Sequence, residues 1–162
     1  MTADLLRLAR YWGYRIATAE SCTGGMVAAA LTDVAGSSEM FDRGFVTYSN
    51  QAKTEMLGVS PALLAEFGAV SEAVAAAMAE GALRHSQADL AVSTTGIAGP
   101  GGSEFKPEGR VCFGLAVKGK PVVVETVEFG ALGRDRVRMA ARDHALAILL
   151  RAMAVRLTQS GG

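Results

Sequence analysis

Residues 16–31, IATAESCTGGMVAAAL, set a short run, a polar turn with two glycines and a run of small apolar residues in direct succession. That order reads as strand, tight turn, helix, with the strand over 15–19 and the helix ending near Asp33. The turn would place the Ser21 hydroxyl at the helix N-terminus. Unpaired backbone N–H groups collect there, and the positive end of the helix favours developing negative charge. Gly24 and Gly25 would let a ligand approach the backbone. The competing reading is that Ser21 or Thr23 simply caps the helix.

The rest of the chain continues this alternation. Leu5, Leu6, Leu8, Ala9 and Trp12 form a helical stripe that Gly13 ends. Residues 40–48 read as a strand, 51–57 as a short helix closed by Gly58, and Pro61 opens another helical turn. Ser71 caps a helix reaching Ser86, in which Gly81 marks a close contact with a neighbouring element. Residues 88–95 read as a central strand, and 110–117 with 122–129 as a hairpin. A last helix starts near Gly133 and reaches Leu157, and the tail from Thr158 to Gly162 is expected to fray. The predicted architecture is a three-layer α/β/α fold over residues 1–162, one domain. Its sheet is mixed and mostly parallel, with a C-terminal hairpin-like strand pair.

Composition narrows the function classes. The chain has 162 residues, is half hydrophobic and carries a formal net charge of zero. The neutral balance argues against direct nucleic-acid binding. The longest apolar runs fall far short of the ~20 residues needed to span a bilayer, and the charged N-terminal stretch lacks a signal-peptide core. Cys22 and Cys112 make no disulfide framework. A cytoplasmic protein with no membrane association is the expectation.

Three polar clusters sit at strand ends: Ser21, then Tyr48 to Lys53, then the loop from Gly96. In open α/β sheets ligands gather beyond the carboxyl ends of strands, so parallel strands would bring the clusters to one edge. A serine nucleophile needs a base. His85 at a helix end and His144 among alanines and leucines have no triad partners nearby. Lys53 is the better base, since burial or a nearby cation can lower a lysine pKa. Tyr48 could relay the proton. Cys22 ranks second to Ser21 as nucleophile for want of a histidine. Two Cys and two His without short spacing make no zinc site. The loop 94–103, TTGIAGPGGS, is neither a Walker A loop nor a dinucleotide fingerprint. Its backbone N–H groups could still form an anion nest, with Lys106 and the late arginines adding charge.

Taken together, AESCTGG (19–25), YSNQAK (48–53), LGVS (57–60), TGIAGPGG (95–102) and KPxG (106–109) are ordered motifs covering nearly the whole chain. The chain resembles the CinA C-terminal domain family, the nicotinamide-nucleotide amidases, in its stand-alone form. The resemblance implies hydrolysis of nicotinamide mononucleotide to nicotinate mononucleotide and ammonia, in pyridine nucleotide recycling. It points to Ser21 as nucleophile and to Lys53 and Tyr48 as proton-handling partners, with no metal or cofactor. Backbone at Cys22, Thr23, Gly24 and Gly25 would hold the reacting group. Thr95, Gly96, Gly99, Gly101, Gly102 and Lys106 would hold the rest of the substrate. Arg138 enters through a family-like GRxxVR pattern at 133–138. Related domains imply a homo-oligomer. Glu108 and Arg110 stand where the usual motif reads KPVGTV, and they alter loop charge. The alternatives are a non-catalytic nucleotide-binding module, an amidase for another small substrate, and a role in competence or DNA-damage responses.

Overall fold

A computed structural model describes residues 1–103 and 105–160, with the side chains of 156–160 excepted. Among the described residues there are six α-helices and five strands. They are α1 (Thr2–Trp12), β1 (Ile16–Glu20), α2 (Met26–Thr32), β2 (Phe41–Val46), α3 (Asn50–Leu57), α4 (Pro61–Phe67), α5 (Glu72–Arg84), β3 (Leu90–Gly96), β4 (Arg110–Val117), β5 (Val123–Glu128) and α6 (Arg134–Ser160). The helix continues through Thr158–Ser160, where fraying was expected, and Gly161 and Gly162 lie outside the described residues.

The sheet order is β2-β1-β3-β4-β5. Strand β1 pairs in parallel with both β2 and β3, while β4 runs antiparallel to β3 and to β5. The sheet is therefore mixed: four strands point one way and β4 alone is reversed. The 110–129 segment is the expected hairpin. Strand β3 is central, as its near-continuous apolar start predicts.

Alternation along the strands sorts side chains to two faces. Ile16, Leu90 and Val92 face α1, α2 and α6, where Leu5, Leu31, Val137 and Leu149 complete the larger core cluster. Ala17, Ala19 and Ala91 face α3, α4 and α5 and pack with Leu57, Leu64, Val74 and Met78. Each fully buried leucine or isoleucine contributes about 1.5–3 kcal/mol. The alanine-rich second face lets α5 come close enough for the Ser93 hydroxyl to donate to the Ala75 carbonyl at 2.6 Å.

Local signals set the helix ends. Ser49, Ser60 and Ser71 accept from backbone N–H groups three residues on, at 3.0, 3.3 and 3.2 Å. Gly58 closes α3 in the left-handed conformation, with φ 74°.

The topology fixes one functional consequence. Because β2, β1 and β3 are parallel, their carboxyl ends lie side by side: Glu20 is level with Val46 on one neighbour and Thr94 on the other. The ladder continues one residue further, with Thr47 N–H donating to Glu20 and Ser21 N–H to Thr94. The turn after β1, the segment leading into α3 and the glycine loop after β3 thus meet at one edge.

Gly81 bears out its expected close contact. A Cβ at this position would run into the carbonyl group of Leu57 at the end of α3. In an ordinary helix interior Gly→Ala gains up to about 1 kcal/mol. Gly81→Ala should instead lose about 1–3 kcal/mol of stability by urea unfolding, because overpacking outweighs propensity. A gain in stability would contradict this packing.

Candidate active site

Strand β1 delivers Ser21 to the sheet edge, and α3 delivers Lys53 beside it. Lys53 is 1 % exposed, although it is a lysine. Its Nζ donates to Ser21 Oγ at 3.0 Å, to the Thr47 carbonyl at 2.9 Å and to the Tyr48 carbonyl at 3.3 Å. Burial pushes the Lys53 pKa below the ordinary lysine value. The three acceptors are not equivalent. Two are carbonyls, which can only accept. The third is a hydroxyl, which can reverse its role and donate to a neutral amine. In the neutral state, Lys53 keeps both carbonyl bonds and turns its lone pair toward Ser21.

Neither histidine competes for this role. His85 Nδ1 contacts the Gly81 carbonyl at 2.8 Å, and His144 Nε2 contacts Glu125 at 3.1 Å. Cys22 borders the same cleft, but burial pushes its thiol up to about 12, so it stays protonated near neutral pH. Among the described residues no cluster of His, Cys, Asp or Glu could hold a metal ion.

The turn after β1 is built differently from the expectation. Helix α2 starts only at Met26, with Gly25 at its N-cap and no side-chain hydrogen bond from that cap. Glu20, 1 % exposed, takes that end instead. Its carboxylate accepts from the N–H groups of Gly25, Val27 and Ala28 at 3.3, 2.8 and 3.0 Å. It also accepts the Thr23 hydroxyl at 2.6 Å, and Thr23 Oγ1 lies 2.8 Å from Thr94 Oγ1. A buried carboxylate at a helix N-terminus matches the dipole and satisfies the orphan donors together. So neither Ser21 nor Thr23 caps α2. One carboxylate beside a glycine turn carries no periodic signal, so the sequence does not announce this role for Glu20.

The amides available to a developing oxyanion change accordingly. Gly24 N–H is committed to the Ser21 carbonyl at 3.0 Å, and Gly25 N–H to Glu20. The Cys22 and Thr23 amides donate to no backbone carbonyl among the described residues, and Cys22 N–H lies against its own thiol sulfur.

A cleft of about 350 Å³ opens over Ser21 and Lys53, bounded by Cys22, Thr95, Gly96 and the loop 97–103. Gly99, Gly101 and Gly102 are among the residues of that loop that border it. Thr95 borders the cleft, with its hydroxyl donating to the Ala69 carbonyl at 2.8 Å. Thr23, Gly24 and Gly25 belong to the turn but do not line the cleft: Gly24 lies against Arg138 and Gly25 against Val46.

Three cationic or phenolic side chains depart from their expected places. Tyr48 is 61 % exposed, and its phenol accepts from Arg134 at 2.9 Å at the mouth of the cleft rather than meeting Ser21. Only its carbonyl touches Lys53. Arg138 donates to the Cys22 carbonyl at 3.1 Å and braces the turn from outside the cleft. Lys106 donates to the carbonyls of Phe67 and Val70 and ties the loop to the α4–α5 connection. Arg134 borders the cleft instead and also donates to the Gly99 carbonyl at 2.7 Å. Both arginines belong to the GRxxVR pattern. They stand one helical turn apart, and the earlier one reaches the opening.

The family model of the CinA C-terminal domain matches residues 1–153. The chain belongs to the CinA C-terminal domain family. The nicotinamide-nucleotide amidohydrolase PncC of Enterobacter agglomerans is 53 % identical over 140 residues, covering 86 % of this CinA chain and 85 % of that protein. A putative competence-damage inducible protein of Symbiobacterium thermophilum is 52 % identical over 154 residues. Those residues are 90 % of this chain but only 36 % of that longer protein. The crystal structure of competence damage-inducible protein A from Klebsiella pneumoniae superposes with a TM-score of 0.90 at 39 % identity, over 94 % of each chain. The CinA sheet with its helical layers is thus shared with solved relatives.

Glu20→Gln should cost about 2–4 kcal/mol of stability, because an amide NH2 would face donors that only a carboxylate satisfies. Chemical denaturation reads this out. A cost under about 0.5 kcal/mol would mean that the carboxylate does not hold the turn.

Proposed function

We propose that this chain hydrolyses the carboxamide of nicotinamide mononucleotide to nicotinate mononucleotide and ammonia. The observation that carries the reading is the 3.0 Å contact between Lys53 Nζ and Ser21 Oγ at the floor of the cleft. The naming of the Enterobacter agglomerans relative as a nicotinamide-nucleotide amidohydrolase supports the substrate.

Neutral Lys53 accepts the Ser21 proton as Oγ attacks the carboxamide carbon. The amides of Cys22 and Thr23 receive the charge on the carbonyl oxygen, where one such donor is typically worth about a hundred- to thousandfold in rate. The C–N bond breaks as the Lys53 ammonium returns the proton to the leaving nitrogen, which departs as ammonia. A water then gives its proton to Lys53 and adds to the acyl carbon. Collapse releases the carboxylate, and the proton returns to Ser21. No other proton carrier is required, so the Tyr48 phenol is assigned with Arg134 to the substrate side of the cleft. Arg134 and the backbone of loop 97–103 hold the phosphate.

The two cysteines are unpaired and buried, which fits action in the cytoplasm. Among the described residues no helix is long and apolar enough to cross a membrane. Assembly into a homo-oligomer belongs to the same reading and is checked by light scattering.

The purified protein should release ammonia from nicotinamide mononucleotide in preference to free nicotinamide or glutamine. Ser21→Ala and Lys53→Met should each lower kcat at least about a thousandfold, as expected for two members of one catalytic unit. Their double variant should be little worse than either single one. Full activity in Ser21→Ala would overturn the assignment.

A further inference from the structure

The glycine loop does not stand alone behind the cleft. Gly101 N–H donates to Glu108 Oε1 at 2.7 Å. Gly99, whose φ is +92°, lies directly over the same side chain: a Cβ there would collide with the Glu108 carboxyl group. Gly99 and Gly101 both border the cleft. The carboxylate therefore sits one backbone layer behind the surface that would receive an anion, and it already occupies one N–H of that loop.

The charges nearby do not neutralise it. Lys106 is committed to the carbonyls of Phe67 and Val70, and Arg110 to Glu128 at 2.6 Å. Arg134 donates to the Gly99 carbonyl and the Tyr48 phenol on the cleft side. Among the described residues Glu108 has no ion-pair partner. Successive backbone N–H groups favour an anion, whereas a fixed carboxylate beneath them opposes a second one.

We propose that Glu108 is a specificity-determining residue, an internal anion that shapes the glycine loop and weakens its hold on a phosphate group. The inference rests on the proposed amidase reading for the substrate but not for the anion site itself. Removal of the charge tightens phosphate binding. It leaves the Ser21–Lys53 pair untouched, so the effect falls on KM rather than kcat.

Two substitutions separate charge from shape. Glu108→Gln keeps a carbonyl oxygen for Gly101 N–H and removes the charge. Glu108→Val removes both and frees the amide. The assay compares nicotinamide mononucleotide with nicotinamide riboside, which carries the same carboxamide and no phosphate. In Glu108→Gln the kcat/KM ratio of nucleotide to riboside should rise about three- to tenfold, with kcat within about twofold, as expected for a screened charge pair at loop thickness. Glu108→Val should move in the same direction. An unchanged or lower ratio in both variants overturns the proposal. Should the wild type release ammonia from neither compound, the amidase reading fails. Calorimetry with inorganic phosphate then decides the Glu108 claim alone: tighter binding to Glu108→Gln than to wild type supports it, and equal or weaker binding overturns it.

Discussion

A lysine stripped of water is the constraint on which this site depends. Burying an ammonium group is costly unless acceptors replace its hydration, and the fold supplies three. Two come from the backbone of the segment between β2 and α3, and the third is the Ser21 hydroxyl. The arrangement tolerates both protonation states, since the carbonyls hold either form and the hydroxyl alone changes direction. A proton can therefore move between Ser21 and Lys53 without rearranging the surroundings, which is the kind of preorganisation catalysis rewards.

The second requirement is that the Ser21 turn stay put. Three independent groups hold it. Glu20 ties it to α2, the Arg138 guanidinium takes the Cys22 carbonyl, and Ser21 N–H continues the β1–β3 ladder to Thr94. The helix dipole, which an isolated reading of the turn assigns to the substrate, is consumed by Glu20. In the proposed reaction, negative charge on the reacting carbonyl falls to the two turn amides that precede the helix. Parallel strands make this convergence possible. They deliver three loops to the same edge, and a single reversed strand, β4, returns the chain toward the opposite edge.

The sequence announced much of this through local chemistry. The helix cap at Ser71, the proline that opens α4, the Gly58 that closes α3 and the forced glycine at 81 act over a few residues and were readable as such. Crossover rules pointed to a mixed sheet covered on both faces, but the strand order itself came only with the structure. The meeting of Ser21 with Lys53 followed from topology joined to the ordered motifs. What sequence did not carry was side-chain direction. Tyr48 and Lys53 share a motif, yet only the carbonyl of Tyr48 points to the amine, because its side chain leaves toward Arg134. Arg134 and Arg138 lie four residues apart on one helix face, and nothing in their spacing says which reaches the cleft. Lys106 is near the glycine loop in sequence but turns to carbonyls on its far side. Glu20 and Glu108 are single carboxylates whose partners are backbone N–H groups, and such partners leave no trace in composition.

The central claim is that Lys53 is held beside Ser21 in an environment that favours its neutral form. The most direct measurement is an NMR titration of lysine side-chain carbons in uniformly lysine-labelled protein, with Lys53 assigned from the Lys53→Met variant. Lys53 should lose its proton well below the ordinary lysine value of about 10.4. A Lys53 resonance that titrates at or above that value would contradict the account.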